Sequence, residues 1–359
     1  MSIEVNIKGQ PVELFDTDQL AVFHNKTDKT DTFLLDMFFP NKRAFETTDI
    51  PMGELDTSTP IAPLVAPSVE GRIMVDKAKY DVQYVTPAYL KPAGMITPQN
   101  VNDIAMLQTL QQAGFIGNAR NMSDAEKLRV AQVAIYARNR QAITNFNVQA
   151  AAKILIDGKI TFKSKDFPEV TVDFGRHADL KFAPTTTWDA AGATPVDDIN
   201  TMIDSMVEHG GTTPEVALMS SKTFTAFAKT EQYKEQFVKP NGANTPAPLN
   251  AGTFNSKDAK FRGELDGIQF WTYDATYRDE AGTVTRYIGD KSFYLIADLD
   301  GFLCNCSLQN LDVLGVPLDV YDYAVEQKDP SGVKQISESS PLPVPSNPNG
   351  VAGGDAFIA

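Results

Sequence analysis

Apolar residues recur at helical spacing in one long stretch and alternate in several short ones. The long stretch runs from Ser123 to Gly158 (SDAEKLRVAQVAIYARNRQAITNFNVQAAAKILIDG), with no proline and with glycine only at its end. It is rich in Ala, Leu, Ile, Gln, Lys and Arg, which lose little rotamer freedom on a helix. Ser123 and Glu126 match a capping box, in which each side chain satisfies a free backbone N–H of the other. Asp124 and Glu126 sit where the helix dipole favours negative charge, and Gly158 supplies a left-handed stop. The pattern predicts one helix over 123–157, roughly 50 Å long at about 1.5 Å per residue. Leu128, Ile135, Ala142 and Phe146 form one apolar stripe. Val130, Val133, Ala137 and Val148 form a second, and Arg129, Arg138 and Arg140 interrupt both. Two readings follow: a core helix of an α+β domain, bent near Arg138–Arg140, or a spine whose faces serve different neighbours.

Before the helix, residues 1–30 are polar and read as an arm, with VELF and LAVF as the segments able to dock. Thr32 to Pro40 has helical spacing at Phe33, Leu34, Met37 and Phe38 but is too short to stand alone. Between Ile50 and Pro98, prolines are frequent, yet Val69–Val75 and Tyr80–Val85 alternate as strands around the polar tip Asp76–Lys79. Prolines confine such strands to edges. An isolated two-stranded hairpin is marginal in water, so a long one implies a partner surface. After the helix, Lys159–Phe162 and Val170–Phe174 predict a second hairpin turning at Ser164–Pro168. The Thr/Ala/Gly/Pro-rich crossing Ala183–Pro195 predicts a domain boundary. Beyond it the pattern predicts a helix over Asp197–Val207, a buried strand Val216–Met219 and a helix capped by Ser220 or Ser221 and running towards Phe237. A loop over 239–257 comes next. A hairpin of Ile268–Tyr277 with Thr283–Tyr287 and a buried strand Phe293–Ala297 complete an α/β or α+β sheet body. The tail, 328–359, is rich in Pro, Ser and Gly, with apolar residues at Val333, Ile336, Leu342, Val344, Phe357 and Ile358.

Composition narrows the function. The chain has 359 residues, 42% hydrophobic and 22% charged, with a net charge of −14. That describes a folded chain long enough for two domains, and the acidic balance disfavours binding to nucleic-acid phosphates. The segment MSIEVNIKGQ has neither a basic region nor an apolar run, so no signal peptide is expected, and no 18 apolar residues stand in succession. Two cysteines, Cys304 and Cys306, give no disulfide framework and are read as small buried residues on one strand face. Nucleotide-binding, hydrolase and zinc-protease motifs are absent. Asp173-Phe174-Gly175 is a hairpin end, and Asp298, Asp300 and Gly301 lack the remainder of a calcium loop. His24, His177 and His209 are too far apart in sequence to suggest a site. No catalytic, cofactor-binding or metal residue is assigned, and no enzyme is expected.

The order of these parts resembles a tailed-phage major capsid protein, and more narrowly the lambdoid major capsid protein E family. The segments that carry the resemblance are Leu35-Asp36-Met37-Phe38-Phe39 with Phe45-Glu46-Thr47-Thr48, Ala66–Gly71, Val85–Pro92, Leu155–Lys159 running into Val170–Arg176, and Pro195–Ile199. The resemblance implies an α+β tailed-phage major-capsid fold. Its expected parts are an N-terminal arm (1–47), an extended hairpin loop (48–92), a peripheral domain with the spine helix (93–192), an axial α/β domain (193–318) and a C-terminal return to the peripheral domain (319–359). It further implies self-assembly through hexamers and pentamers into an icosahedral shell enclosing DNA without sequence-specific binding. Scaffold, portal and decoration proteins are the implied partners, no membrane is involved, and the implied locations are the virion and, during assembly, host cytoplasm. The alternative is a decoration or other virion module that binds a capsid lattice. Arg72, Lys77, Lys79, Tyr80, Phe38 and Phe39 are the candidate inter-subunit contacts. The tip charges either meet acidic surface on a neighbour or are merely solvated.

Overall fold

The computed structural model describes residues 4–7, 10–15, 31–55, 80–98, 123–164, 167–237, 258–279 and 282–359. The strand expected over 69–75, the LAVF segment, His24 and the loop 239–257 lie outside them. In chain order the first elements are β1 (Glu4–Ile7), β2 (Gln10–Glu13), α1 (Phe33–Phe38), β3 (Asn41–Phe45), β4 (Ile50–Leu55), β5 (Tyr80–Val85) and β6 (Ala93–Ile96). Then follow α2 (Asp124–Asp157), β7 (Lys159–Ser164), β8 (Phe167–Asp173), a 3-10 turn (Ala178–Leu180), α3 (Pro195–Gly210), β9 (Val216–Met219), α4 (Ser221–Phe227) and α5 (Glu231–Phe237). The remaining strands are β10 (Ala259–Leu265), β11 (Ile268–Tyr273), β12 (Thr276–Arg278), β13 (Val284–Arg286), β14 (Phe293–Ile296), β15 (Phe302–Cys306), β16 (Tyr321–Lys328), β17 (Ser331–Glu338), β18 (Pro341–Val344) and β19 (Val351–Gly354). Helices and mostly antiparallel sheets are mixed, an α+β chain.

The long helix forms as its local signals require. Ser123 and Glu126 make both bonds of the capping box, and Gly158 closes the helix at φ 67°. Its two ends pack against different sheets, a division along its length and not between its faces. Towards the N-terminus, Leu128 and Ala131 pack with Ile96, Ala324 and Val333 of the three-stranded sheet β16-β17-β6. Towards the C-terminus, Val148, Ala151, Ile154 and Leu155 join the main core with Phe33, Leu34, Ile160, Phe162 and Tyr294. The buried stripe is displaced from the expected ones: it runs Leu128, Gln132, Tyr136, Asn139, Ile143, while Ala142 is exposed. The polar members are admitted because they are bonded. Gln132 pairs with the backbone of Phe15 through both its amide atoms, at 3.0 and 2.8 Å, which docks the VELF segment on the helix. Arg140 holds the fully buried carboxylate of Asp322 at 2.7 Å. At the other end, Arg176 donates to the carbonyls of Ile154, Leu155 and Ile156, a cation on the negative end of the dipole. Gly94 of β6 lets sheet and helix touch, since a Cβ there would lie 2.4 Å from Ile135 Cγ2.

The second body is a five-stranded sheet, β10-β11-β9-β14-β19, covered on both faces. Alternate residues face opposite ways. Ala217, Met219, Phe293 and Leu295 pack with Trp188, Ile199, Met202, Met206 and Phe357. Val216, Leu218, Tyr294 and Ile296 face the main core. Coverage on both sides is why VALM and FYLI read as unbroken apolar runs.

Several expectations change in detail. Tyr80–Val85 pairs with Ile50–Leu55, from Ile50 opposite Val85 to Leu55 opposite Tyr80. The second hairpin forms as expected, from Lys159 opposite Asp173 to Ser164 opposite Phe167. Ser220 is the cap, but the helix that follows ends at Phe227. The Thr230 hydroxyl donates to the Phe227 carbonyl and accepts from Tyr233 N–H, ending one helix and opening the next. The expected hairpin of Ile268–Tyr277 with Thr283–Tyr287 divides: β12 pairs β13, whereas β11 lies between β9 and the unforeseen β10. The tail is ordered throughout. β16 and β17 form a long hairpin, β18 pairs β15, and β19 completes the five-stranded sheet.

Candidate assembly surface

The ribbon β4–β5 pairs Pro51 with Tyr84, and Tyr84 is 73% exposed. An apolar aromatic that far out on a two-stranded ribbon is the kind of residue that interfaces bury. The root of the ribbon is fastened to the body. Ile50 is buried, and Thr86 Oγ1 donates to Asp49 Oδ1 at 2.5 Å. Leu90 and Ser339 exchange backbone bonds, and Ser337 N–H donates to Pro92 O. The central group is Glu338, at the end of β17, whose side chain is 1% exposed. Tyr89 OH donates to it at 2.7 Å and Tyr323 OH at 2.6 Å, while Lys91 Nζ lies 2.5 Å away. Burial alone would raise this carboxyl. The bonds from Lys91, Tyr323 and Tyr89 outweigh it and hold Glu338 below its ordinary value. The same contact raises Lys91, through its bond to Glu338. Burial, then the bond to Glu338, raises Tyr89 well above an ordinary phenol.

A second exposed apolar group follows Asn310, a partner of Glu338. Asn310, which reaches Glu338 at 3.4 Å, caps a 3-10 turn, Leu311–Val313. Leu311 is 89% exposed and Leu314 68%. The turn holds its shape through the Asn310 cap and through Gly315 N–H donating to Ser307 Oγ.

Of the six residues anticipated as contacts, Arg72, Lys77 and Lys79 lie outside the described residues, and only the backbone of Tyr80 is described, at the outer end of β5. Phe38 and Phe39 are 4% and 3% exposed inside the chain's own core, which leaves them little surface for a neighbour. Phe39 lies under Gly301, where a Cβ would meet both its ring and the Phe38 carbonyl. Cys304 and Cys306 are buried on one strand face, and burial pushes their thiols up to about 11 and about 12. His177 and His209, distant in sequence, stack at 3.9 Å beside Asp179.

The family model of phage major capsid protein E matches residues 16–356, nearly the whole chain. The chain belongs to the phage major capsid protein E family. The major capsid protein of Enterobacteria phage P21 and the P21 prophage-derived major head protein of Escherichia coli O6:H1 are each 21% identical to it over 343 residues, covering 94% of this chain and 97% of theirs. A crystal structure of a prophage capsid protein from E. coli CFT073 superposes with a TM-score of 0.67 at 19% identity, covering 96% of this chain and 99% of that one. The fold is thus that of phage capsid subunits, and the function is that of the family: a structural major capsid protein, a self-assembling component of the virion. Sequence reasoning singled out the ribbon but missed its fastening. Glu338 stands in the segment Gln335-Ile336-Ser337-Glu338-Ser339, and its partners are 15 to 249 residues away. Leu311 and Leu314 carried a signal, two leucines in a turn-rich segment of Asn, Asp and Gly.

Proposed function

We propose that this capsid protein builds an icosahedral shell from hexamers and pentamers, with the ribbon laid over an adjacent subunit. The observation that supports this is the contrast along β4–β5: a root fastened through Glu338 to the sheet under the spine helix, and a face that leaves Tyr84 73% exposed. A fastened root aims the ribbon, and an exposed aromatic gives it something to bury against another copy. In this reading 1–47 is the arm, 48–92 the extended loop, 93–192 the peripheral domain, 193–318 the axial domain at the capsomer centre and 319–359 the return. Arg72, Lys77, Lys79 and Tyr80 at the tip meet acidic surface on the neighbour, an arrangement compatible with a chain of net charge −14. Scaffold, portal and decoration proteins join the assembly, which takes place in host cytoplasm, and the subunit has no catalytic role. An acidic wall holds DNA without trapping it.

The test replaces residues 56–79 with a short Gly/Ser linker, which spares both strands of the root. The reading expects a folded subunit, by circular dichroism and melting, that no longer forms shells when co-expressed with its scaffold. Shells of normal size from this variant would refute the assignment of the loop. Shells that form only on a lattice of another protein would favour the decoration reading.

A further inference from the structure

Three side chains from two separate segments converge where the second hairpin hands over to the five-stranded body. His177 precedes the 3-10 turn that contains Asp179, and His209 lies in the last turn of α3. Asp179 Oδ2 is 3.6 Å from His177 Nδ1 and 3.5 Å from His209 Nε2. The donor atoms of the three residues all lie within 4.8 Å of one another. Two donors bound to one tetrahedral zinc at about 2.0–2.1 Å are about 3.3–3.4 Å apart, so both carboxylate–imidazole separations are already near that of a shared ion. The imidazoles stack at 3.9 Å and 13°, and χ2 of each ring is a soft torsion about which it can turn towards a shared ion.

The backbone beneath is held in place. Asn349 accepts from His177 N–H at 2.8 Å and donates to the His209 carbonyl at 3.3 Å, so one side chain ties both histidine segments. Asp179 N–H makes a long 3.4 Å contact to His177 Nδ1, which an ion bound at Nδ1 would replace. Asp179 is 68% exposed at its side chain and His177 48%, so water can complete the shell of an ion. Two imidazoles and one carboxylate suit zinc and its neighbours, whereas calcium and magnesium demand oxygen ligands throughout.

We propose that His177, Asp179 and His209 form a binding site for a divalent transition-metal ion of the zinc class, completed by water. Bound there, the ion clips the turn at 177–180 to the end of α3 and stiffens the junction between the two bodies. The site does not depend on the assembly reading and is tested separately from it.

The experiment titrates the purified full-length chain with Zn²⁺ by isothermal calorimetry in a non-chelating buffer, with Mg²⁺ and Ca²⁺ in parallel. The chain has three histidines, so His24→Ala is the matched control. The expected result is one Zn²⁺ per chain, unchanged in His24→Ala and weakened on the order of tenfold or more in His177→Ala, His209→Gln and Asp179→Asn. Zn²⁺ should also raise the melting temperature of the wild type but of none of the three site variants. Circular dichroism and melting without metal confirm that each variant folds. No Zn²⁺ binding by the wild type, equal affinity in folded site variants, or loss only in His24→Ala would overturn the proposal.

Discussion

Replacing Glu338 with alanine removes the acceptor on which the root of the ribbon converges. Two phenolic bonds to a buried carboxylate are lost, from Tyr89 at 2.7 Å and Tyr323 at 2.6 Å. At about 1.5 kcal/mol each, as bonds to a charged partner, they amount to about 3 kcal/mol. The ion pair with Lys91 adds little, because the lysine is 53% exposed and surface pairs contribute well under about 1 kcal/mol. Glu338→Ala should therefore cost about 3–4 kcal/mol, and Glu338→Gln, which keeps the shape and one neutral acceptor, about half of that. The assay is urea unfolding of the soluble subunit, in which the midpoint falls and the slope is unchanged. The Tyr323→Phe cycle with Glu338→Gln should show a coupling of about 1 kcal/mol. The pH dependence has a defined sign. The folded carboxyl is held below its ordinary 4.5, so its contribution is complete above that value and is lost as pH falls through the lower folded value. Glu338→Gln should flatten the acid limb of stability below pH about 4.5 and change nothing near neutrality beyond its constant offset. A cost under about 0.5 kcal/mol for the alanine variant, or an acid limb unaltered in Glu338→Gln, would refute the fastening argument.

Gly94→Ala should destabilise the fold by about 1–3 kcal/mol, because the new Cβ meets Ile135 Cγ2 at 2.4 Å. Ile135→Ala should recover part of that loss in the double variant, read by the same unfolding assay. Tyr84→Ser and Leu311→Ser should leave the melting temperature of the subunit nearly unchanged, since both side chains are exposed, while reducing shell yield in a co-expression assay. Cys304 and Cys306 should resist a thiol reagent at pH 8 in the folded subunit and react once urea unfolds it, because burial raises both thiols to about 11 or more.

What could be read from the sequence was what neighbouring residues decide. The ends of α2 were legible because Ser123, Glu126 and Gly158 act within a turn or two of themselves. Which face of that helix is buried was not, because Gln132 and Asn139 enter the interior only through partners at Phe15 and Gln335, about a hundred to two hundred residues away. The pairing of β5 with Ile50–Leu55 was not legible for a similar reason: alternation marks a strand but not the strand it pairs with. The last strand, VAGG, reads as loose chain, yet its glycine is what admits it to the sheet, since a Cβ on Gly353 would lie 2.2 Å from the Phe293 carbonyl. The candidate surface was half legible. The strand Tyr80–Val85 follows from its alternation, but Glu338, Tyr89, Lys91 and Tyr323 are assembled by the fold alone, as are His177, Asp179 and His209.

The central claim is that the ribbon carries one copy onto the next in a closed shell. Its most direct measurement is negative-stain electron microscopy of the chain co-expressed with its scaffold, comparing the wild type with the variant in which a linker replaces 56–79. The account predicts uniform polyhedral shells from the wild type and dispersed, folded subunits or small oligomers from the variant. Shells of the same size and yield from both would contradict it.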